Sequence, residues 1–206
     1  MAYACPSRPA PPPAHRGPLI EVPGGRIPMQ ELQTGDLVRT KDHGFQPVRW
    51  IGRRRLQRAD FAADPALRPI RIRAGALGPA TPAHDLVVSP QHGVLLDDWR
   101  CALLFGEDEM LVPAAALLND HNVTVDRAAE EIAYCDLIFD RHEIVYVNGA
   151  ETESCHPGAA HSGDADDTGR DELLKLFPER DVERDGCGWS ARATLKRHEV
   201  AVLRAI

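Results

Sequence analysis

The chain has 206 residues, of which 43% are apolar and 27% are charged. This length and apolar fraction fit one domain with modest appendages and a sizeable core. The net charge of −7 and the pI near 5.7 argue against nucleic-acid binding, which usually needs a clustered basic face. No stretch approaches the roughly 18–20 apolar residues of a membrane helix, so no membrane contact is predicted.

The amino terminus lacks a basic-then-apolar signal pattern. The cytoplasm is therefore the default location, with secretion by a non-classical route left open. The five cysteines are odd in number and widely spaced, and they form neither a disulfide framework nor a CxxC pair. No histidines pair at metal-ligand spacing, so the sequence predicts no metal and no cofactor. Cys101 and Cys135, in apolar surroundings, are predicted to be small buried hydrophobic residues.

Residues 1–16 carry prolines at positions 6, 9, 11, 12 and 13, which predicts a flexible leader that forms neither a helix nor a central strand. From residue 17 onward, short apolar or alternating stretches are separated by turn signals. The strands are predicted at residues 18–22, 36–40, 46–51, 69–73, 86–88, 94–96, 101–105, 110–112, 123–125, 134–139 and 143–147.

Many short strands favour a sandwich or barrel over alternating βαβ units, so the fold class is mainly β. A proline-led, alanine-rich stretch predicts one short helix at residues 113–118. Arginines at 53, 54, 55 and 58 form the only basic cluster, which we interpret as a solvated strand edge. Asn148-Gly149 predicts a tight turn.

The composition changes after residue 158. Residues 159–170 are small, polar and acidic, as is typical of a linker. Residues 171–206 are predicted to form a helical extension, with helices at 171–177 and 191–204 that pack back on the β domain. The predicted organisation is a leader at 1–16, a β domain at 17–158, a linker and this extension.

The candidate chemistry centres on Ser89-Pro90-Gln91-His92, a hydroxyl residue three positions before a histidine that opens an apolar run. Breaking a peptide bond requires protonation of a poor leaving group, the amide nitrogen, and a histidine with a pKa near 6.5 suits that task at neutral pH. The alternative is a turn histidine satisfied by backbone groups. Asp140 and His142 form a second candidate pair, for which the alternative is a strand end with surface ion pairs.

Together with residues 32–40 (LQTGDLVRT), 47–56 (PVRWIGRRRL) and 140–149 (DRHEIVYVNG), this stretch resembles the Hint domain. The Hint domain is the all-β self-processing module of Hedgehog C-terminal domains and inteins, and the similarity is closest to bacterial Hint proteins. The resemblance implies a Hint-type all-β domain over residues 17–158 with a short C-terminal helical extension. It also implies that the substrate, if the chain is active, is its own N-terminal peptide.

The resemblance further implies the roles of individual residues. In the family a cysteine thiol attacks the preceding carbonyl and turns an amide into a thioester. Ser89 and His92 match the TxxH motif, whose hydroxyl holds the scissile peptide and whose histidine protonates the leaving nitrogen. Asp140 and His142 match the second block, where the histidine assists the tetrahedral intermediate or accepts the thiol proton, and the acid orients a histidine.

The chain departs from the family at the nucleophile. A Cys-Phe pair opens the resembling domains about 22 residues before the Gly-Asp that is here Gly35-Asp36, and this count reaches Pro13. Cys5 lies eight residues further upstream and is a displaced candidate that would require the proline-rich segment to loop out. No terminal His-Asn pair precedes a nucleophile either, so single-site cleavage is the most that the sequence predicts.

Three hypotheses therefore remain. The first is a self-processing Hint domain, degenerate at the expected cysteine, that cuts its own N-terminal peptide with Cys5 or an unrecognised nucleophile and uses His92 and His142. The second is a non-catalytic Hint-fold module that serves binding or scaffolding, with an unknown protein partner. The third is a β-barrel binding protein without a processing history, which predicts a surface SPQH motif far from DRHE. The Hint hypotheses predict that His92 and His142 face one another near the N-terminal strand.

Overall fold

The computed structural model describes residues 3–5, 17–155 and 190–205. Within these ranges the chain forms fourteen strands, three α-helices and three short 3₁₀ helices. The strands are β1 Tyr3–Cys5, β2 Leu19–Val22, β3 Gly25–Pro28, β4 Leu37–Thr40, β5 Gly44–Pro47, β6 Trp50–Gln57, β7 Ile70–Ile72, β8 Leu86–Val88, β9 Gly93–Asp97, β10 Glu109–Pro113, β11 Val123–Val125, β12 Glu131–Ile138, β13 Ile144–Val147 and β14 Ala150–Glu153. The helices are α1 Arg58–Ala63, α2 Trp99–Phe105 and α3 Arg197–Ala205, and the 3₁₀ helices are Met29–Glu31, Pro65–Leu67 and Ala114–Leu117.

Two sheets organise the described residues. The first has six strands in the order β11-β7-β8-β1-β12-β6, with the arginine-rich strand β6 at its edge as predicted. The second has eight strands in the order β10-β9-β14-β13-β2-β3, with β4 paired to β13 and β5 paired to β4. All pairings between these strands are antiparallel, which confirms the predicted mainly β fold without βαβ units.

The main core is aliphatic, with buried side chains from strands of both sheets in one cluster. Full burial of a Val, Leu or Ile side chain contributes about 1.5–3 kcal/mol, so burial of this cluster strongly favours the folded state. Cys135 lies in this cluster and Cys101 in a second one, which confirms the prediction for both cysteines. The fully buried aliphatic members of the main cluster include Ile20, Val38, Val48, Ile72, Leu86, Val88, Leu137, Val145 and Val147.

The predicted tight turn at Asn148-Gly149 joins β13 to β14. Both residues have left-handed backbone angles, with φ of 51° and 81°, which is the geometry of a two-residue hairpin turn. The Asn148 side chain also accepts a hydrogen bond from the Leu19 N–H at 2.8 Å. This turn fixes the register of β14, and with it the position of Glu153 opposite Ile144.

The prediction that residues 1–16 contain no central strand is wrong for Tyr3–Cys5. Tyr3 lies opposite Val88 of β8 on one side and Cys135 of β12 on the other. The prolines begin only at position 6, so the three residues before them keep the N–H groups that a central strand needs. Without β1, the facing edges of β8 and β12 would leave backbone donors and acceptors unpaired.

The predicted strand at residues 101–105 is also wrong, because this stretch lies in helix α2. Asp98 caps the helix by accepting a hydrogen bond from the Arg100 N–H at 2.9 Å. Gly106 ends the helix with φ of 75°, a left-handed angle that glycine adopts easily. These capping signals decide the local structure over the apolar character of the segment. The following strand at residues 110–112 is confirmed within β10.

The last described segment packs on the β domain through Leu195, Val200 and Leu203, which share a cluster with Cys101 and Met110. This packing was predicted, although α3 begins at residue 197 rather than 191. The predicted linker at 159–170 and helix at 171–177 lie outside the described residues, and the domain boundaries remain predictions. No described helix has the length and apolar character needed to span a membrane.

Candidate functional site

The two candidate histidines lie on connections between the two sheets. The turn at residues 89–92 joins β8 of the first sheet to β9 of the second, and residues 139–143 join β12 to β13. Strand β1 lies between β8 and β12 and is antiparallel to both. The amino end of β1 is therefore directed toward both histidine-bearing connections.

The SPQH motif forms a four-residue turn in which the His92 N–H donates to the Ser89 carbonyl at 3.1 Å. Pro90 occupies the second position, where its fixed φ favours such turns. Two further backbone bonds hold the turn from outside, because the carbonyls of His92 and Pro90 accept from the N–H groups of Ala114 and Ala115, each at 2.9 Å. Ser89 and His92 are therefore held on a rigid turn.

His92 is completely buried, and Ser89 is 8% exposed. Burial penalises the charged imidazolium and lowers the pKa of His92 well below its ordinary value of about 6.5, and the nearby His142 acts in the same direction. His92 is therefore a neutral imidazole at physiological pH.

His142 is 6% exposed and has contacts on both ring nitrogens. Its Nδ1 accepts a hydrogen bond from the Ala191 N–H at 3.0 Å. Its Nε2 lies 3.0 Å from the Ser154 carbonyl oxygen and 3.2 Å from Glu153 Oε2. Because Nδ1 receives a proton donor, the ring proton of a neutral His142 is on Nε2, facing these two oxygens.

The Glu153 carboxylate connects His142 to the SPQH turn. Its Oε2 faces His142, and its Oε1 accepts a hydrogen bond from the Gly93 N–H at 2.5 Å. The Glu153 side chain is only 3% exposed, so this charge lies in the interior among polar groups. A side chain at position 93 would overlap the carboxylate, so this close approach requires glycine.

The structure thus brings Ser89, His92 and His142 into one buried region in which Glu153 links the two connections. Ser89 and His92 are buried, unlike the surface motif expected of an unrelated barrel, and the catalytic roles predicted for these residues stay predictions. A family model for the Hint domain matches residues 13–159, which is more than half of the chain. The chain belongs to the Hint domain family. A search of curated proteins returned no match.

Asp140, the acid predicted for the Hint site, is exposed and does not share this burial. Its side chain is 55% exposed, and its two carboxylate oxygens accept from Arg49 Nε at 3.0 Å and Nη2 at 2.7 Å. The exposed Asp140 carboxylate is engaged with Arg49, and its predicted role of orienting a histidine stays a prediction. The alternative of a surface ion pair fits Asp140, whereas His142 of the same motif is buried.

Cys5 occupies the carboxyl end of β1, with its backbone opposite Ala133. Tyr3 lies level with Val88, the residue before Ser89, so Cys5 is three residues along the strand direction from the level of Ser89. At about 3.3 Å per residue this is a separation of about 10 Å. The register does not bring the Cys5 backbone together with the histidine-bearing turn of the Hint site.

Sequence reasoning missed two buried carboxylates, that of Glu153 in the site and that of Glu143, the neighbour of His142 in the chain. Both are 2% exposed, and Glu143 Oε2 lies 2.9 Å from Nδ1 of His43, a residue predicted only as part of a turn. A glutamate at the end of a hairpin strand is usually solvent-exposed, so no local pattern indicated that Glu153 lies in a buried site. The available signal was the Asn148-Gly149 turn, because its register places Glu153 close in space to the start of β13.

A separate open cleft of about 490 Å³ lies beside β9, and it is lined by residues that include Leu77, Val94, Leu96 and Tyr146. Neither candidate histidine lines it, so the cleft is distinct from the buried Hint site. Within the described part of the chain, no three His, Cys, Asp or Glu side chains are grouped as ligands for a metal ion.

Proposed function

We propose that this chain is a Hint module that retains the architecture of a self-processing site but holds its own N-terminal peptide instead of releasing it through a cysteine. The observation that carries the proposal is strand β1. It lies in the middle of the first sheet with its amino end toward both histidine-bearing connections. A peptide that would be the substrate in an active module is here a structural strand.

The position of the nucleophile supports loss of the cysteine-dependent step. The family match begins at residue 13, the same residue that the count from Gly35 assigns to the nucleophile. That residue is proline, which has no thiol, hydroxyl or backbone N–H with which to begin an acyl shift. Cys5, the displaced candidate, lies at the far end of β1 from Ser89.

The protonation state of His92 also supports a module that does not cleave its peptide. Protonation of an amide nitrogen needs a group that carries a proton at the working pH. Burial lowers the pKa of His92 well below its ordinary value, so an imidazolium is not available at neutral pH. His92 in this arrangement is a poor general acid.

Strand pairing supplies the physical basis for holding the peptide. Main-chain hydrogen bonds to a sheet give affinity to an added strand without demanding a particular sequence. Strand β1 pairs on both sides, with three residues of β12 and one residue of β8. The function that follows is a binding or scaffold role in which the occupant is the chain's own N-terminal segment.

The proposal is tested by the intact mass of a fusion that carries a tag upstream of Met1, before and after a day with a strong thiol. We expect no loss of mass in either condition. A specific protease site between tag and Met1 provides the control, because deliberate cutting shows that release would be detected. Release of the tag by the wild-type chain that is abolished in His92→Ala would overturn the proposal.

One observation favours a second candidate, single-site self-cleavage of the N-terminal peptide. Glu153 and His142 are ionisable groups buried together next to the SPQH turn, an arrangement that costs stability and that is common at reactive sites. In that case the chain's own N-terminal peptide is the substrate. The same fusion decides between the two, because self-cleavage would release the tag and Cys5→Ala would show whether Cys5 supplies the nucleophile.

A further inference from the structure

The segment 190–195 lies outside the family match and runs along strand β10. The Leu111 N–H donates to the Ala193 carbonyl, and the Leu195 N–H donates to the Leu111 carbonyl, each at 2.8 Å. Leu195 is 1% exposed in the cluster that also contains Leu203 of α3. We refer to residues 190–195 as the C-terminal strap. The strap is an addition to the Hint module that is attached to it by backbone bonds and by apolar packing.

Arg192 anchors the strap to Asp42 and to Glu109 of β10. Arg192 Nη1 and Nη2 donate to the two carboxylate oxygens of Asp42 at 3.0 and 2.8 Å. Its Nε and Nη2 lie 2.8 and 2.7 Å from Glu109 Oε2. The hydrogen bonds from Arg192 hold the pKa of Asp42 below its ordinary range. The guanidinium therefore bridges two carboxylates on different elements, a geometry that suits arginine and not lysine.

The two residues that precede Arg192, Ser190 and Ala191, contact the ring of His142. The Ala191 N–H donates to Nδ1 of His142 at 3.0 Å, and Ser190 Oγ lies 3.2 Å from the same nitrogen. Ser190 Oγ itself donates to the Arg192 carbonyl at 2.7 Å, which ties the serine to the anchored residue. The Nδ1 lone pair of His142 is therefore covered by the strap.

We propose that Arg192 is a positioning residue that, through Ala191 and Ser190, covers Nδ1 of His142, the ring nitrogen that would accept a proton. Glu153 fixes the opposite side of the ring, since its carboxylate faces Nε2 while it also accepts from Gly93. The strap thereby prevents Nδ1, the only basic nitrogen of His142, from accepting a proton. Release of the strap exposes Nδ1 for that role. The proposal concerns the resting state of His142 and does not depend on whether the N-terminal peptide is held or cleaved.

The first test reads the tautomer directly, from the ¹⁵N chemical shifts of the His142 ring in the full chain at neutral pH. The wild-type chain is expected to show a protonated Nε2 and an unprotonated Nδ1. In Arg192→Ala the Nδ1 shift is expected to move because the hydrogen bond from the Ala191 N–H is lost, whereas Nε2 stays protonated because it still faces Glu153 and Ser154. Arg192→Lys is expected to restore the wild-type Nδ1 shift only in part. Unchanged shifts in Arg192→Ala, or an Nδ1–H tautomer in the wild-type chain, would overturn the proposal.

The second test measures exposure, as the rate at which diethyl pyrocarbonate modifies each histidine, followed by peptide mass mapping. Loss of the charged contacts in Arg192→Ala is expected to raise the rate at His142 by about five- to tenfold. The rate at His92 should not change, because His92 is completely buried. Equal increases at both histidines would mean general destabilisation and would overturn the specific role of Arg192.

The matched control is Arg71→Ala. Arg71 also lies between two carboxylates, with Nη2 at 2.6 Å from Asp126 and Nη1 at 3.3 Å from Asp85, but it belongs to β7 of the first sheet. Its removal deletes a similar set of charged contacts without touching the strap. This variant is expected to leave the His142 shifts and modification rate as in the wild-type chain, and a change equal to that of Arg192→Ala would contradict the proposal.

Discussion

Replacement of His92 by glutamine removes a buried group that can titrate, and the effect on stability depends on pH. In the folded chain the pKa of His92 is held well below its ordinary value by burial, whereas in the unfolded chain it returns to about 6.5. A depressed pKa gives a contribution to stability that is complete above the unfolded value. That contribution is lost as the pH falls from 6.5 toward the folded value, because only the unfolded chain takes up the proton.

The size of this effect follows from the linkage relation for one proton. For one histidine that stays neutral in the folded chain across this interval, the free energy of unfolding decreases by about 1.4 kcal/mol between pH 7.5 and pH 5.5. Free carboxylates titrate mainly below this interval, so they contribute little to the difference. The glutamine variant is expected to lack this part of the pH dependence, whatever its stability at neutral pH.

Urea unfolding followed by tryptophan fluorescence, at several pH values between 5.5 and 7.5, measures both chains. Ser89→Ala is the matched control, because it alters the same turn but keeps the histidine, and its pH dependence should equal that of the wild-type chain. Parallel pH dependences for the wild-type chain and His92→Gln would refute the argument, since they would mean that burial does not keep His92 neutral.

Three further predictions follow from other contacts. Gly93→Ala is expected to lower the free energy of unfolding by about 1–3 kcal/mol in urea, because the new methyl group overlaps Glu153, and an unchanged value would contradict that close approach. Burial raises the pKa of the Cys155 thiol to about 11, so iodoacetamide at pH 8 should label it far more slowly in the folded chain than in urea; equal rates would be contrary evidence. The pKa values of Asp42 and Glu109 are held below their ordinary range, for Glu109 by Lys41 and Arg192 against the opposing effect of burial. The stabilisation that these two ionised carboxylates provide is therefore present above about pH 4.5 and is lost in more acidic solution. The difference in free energy of unfolding between the wild-type chain and Arg192→Ala should then shrink as the pH is lowered. A difference that stays constant would contradict this prediction.

Much of the β fold could be predicted from local patterns. Alternation of apolar and polar residues in β7, the Asn-Gly turn after β13 and the turn residues around β8 and β9 each specify local structure through short-range physics. The prediction failed where capping outweighs apolar character, as in α2. It also failed at β1, where the pairing partners are Val88 and Cys135, far away in the sequence.

The sequence predicts those parts of the candidate site that come from a single short motif. Ser89 and His92 lie on one four-residue turn, and His142 lies on the connection after β12, so their positions depend on strands that the sequence reveals. Glu153 reaches the site from the hairpin partner of β13. The Ala191 contact comes from a segment separated from His142 by 49 positions. Such distant contacts are set by tertiary packing, which no local pattern encodes.

The central claim is that the N-terminal peptide is a strand of the sheet beside the histidine-bearing turn. Amide hydrogen exchange at Tyr3, Ala4 and Cys5 in the full chain tests this claim most directly. We predict protection of these amides that approaches that of their partners in β12, since a centrally paired strand opens only with its sheet. Exchange at the rate of an unstructured peptide would contradict the account, because the slot between β8 and β12 would then not hold the chain's own amino terminus.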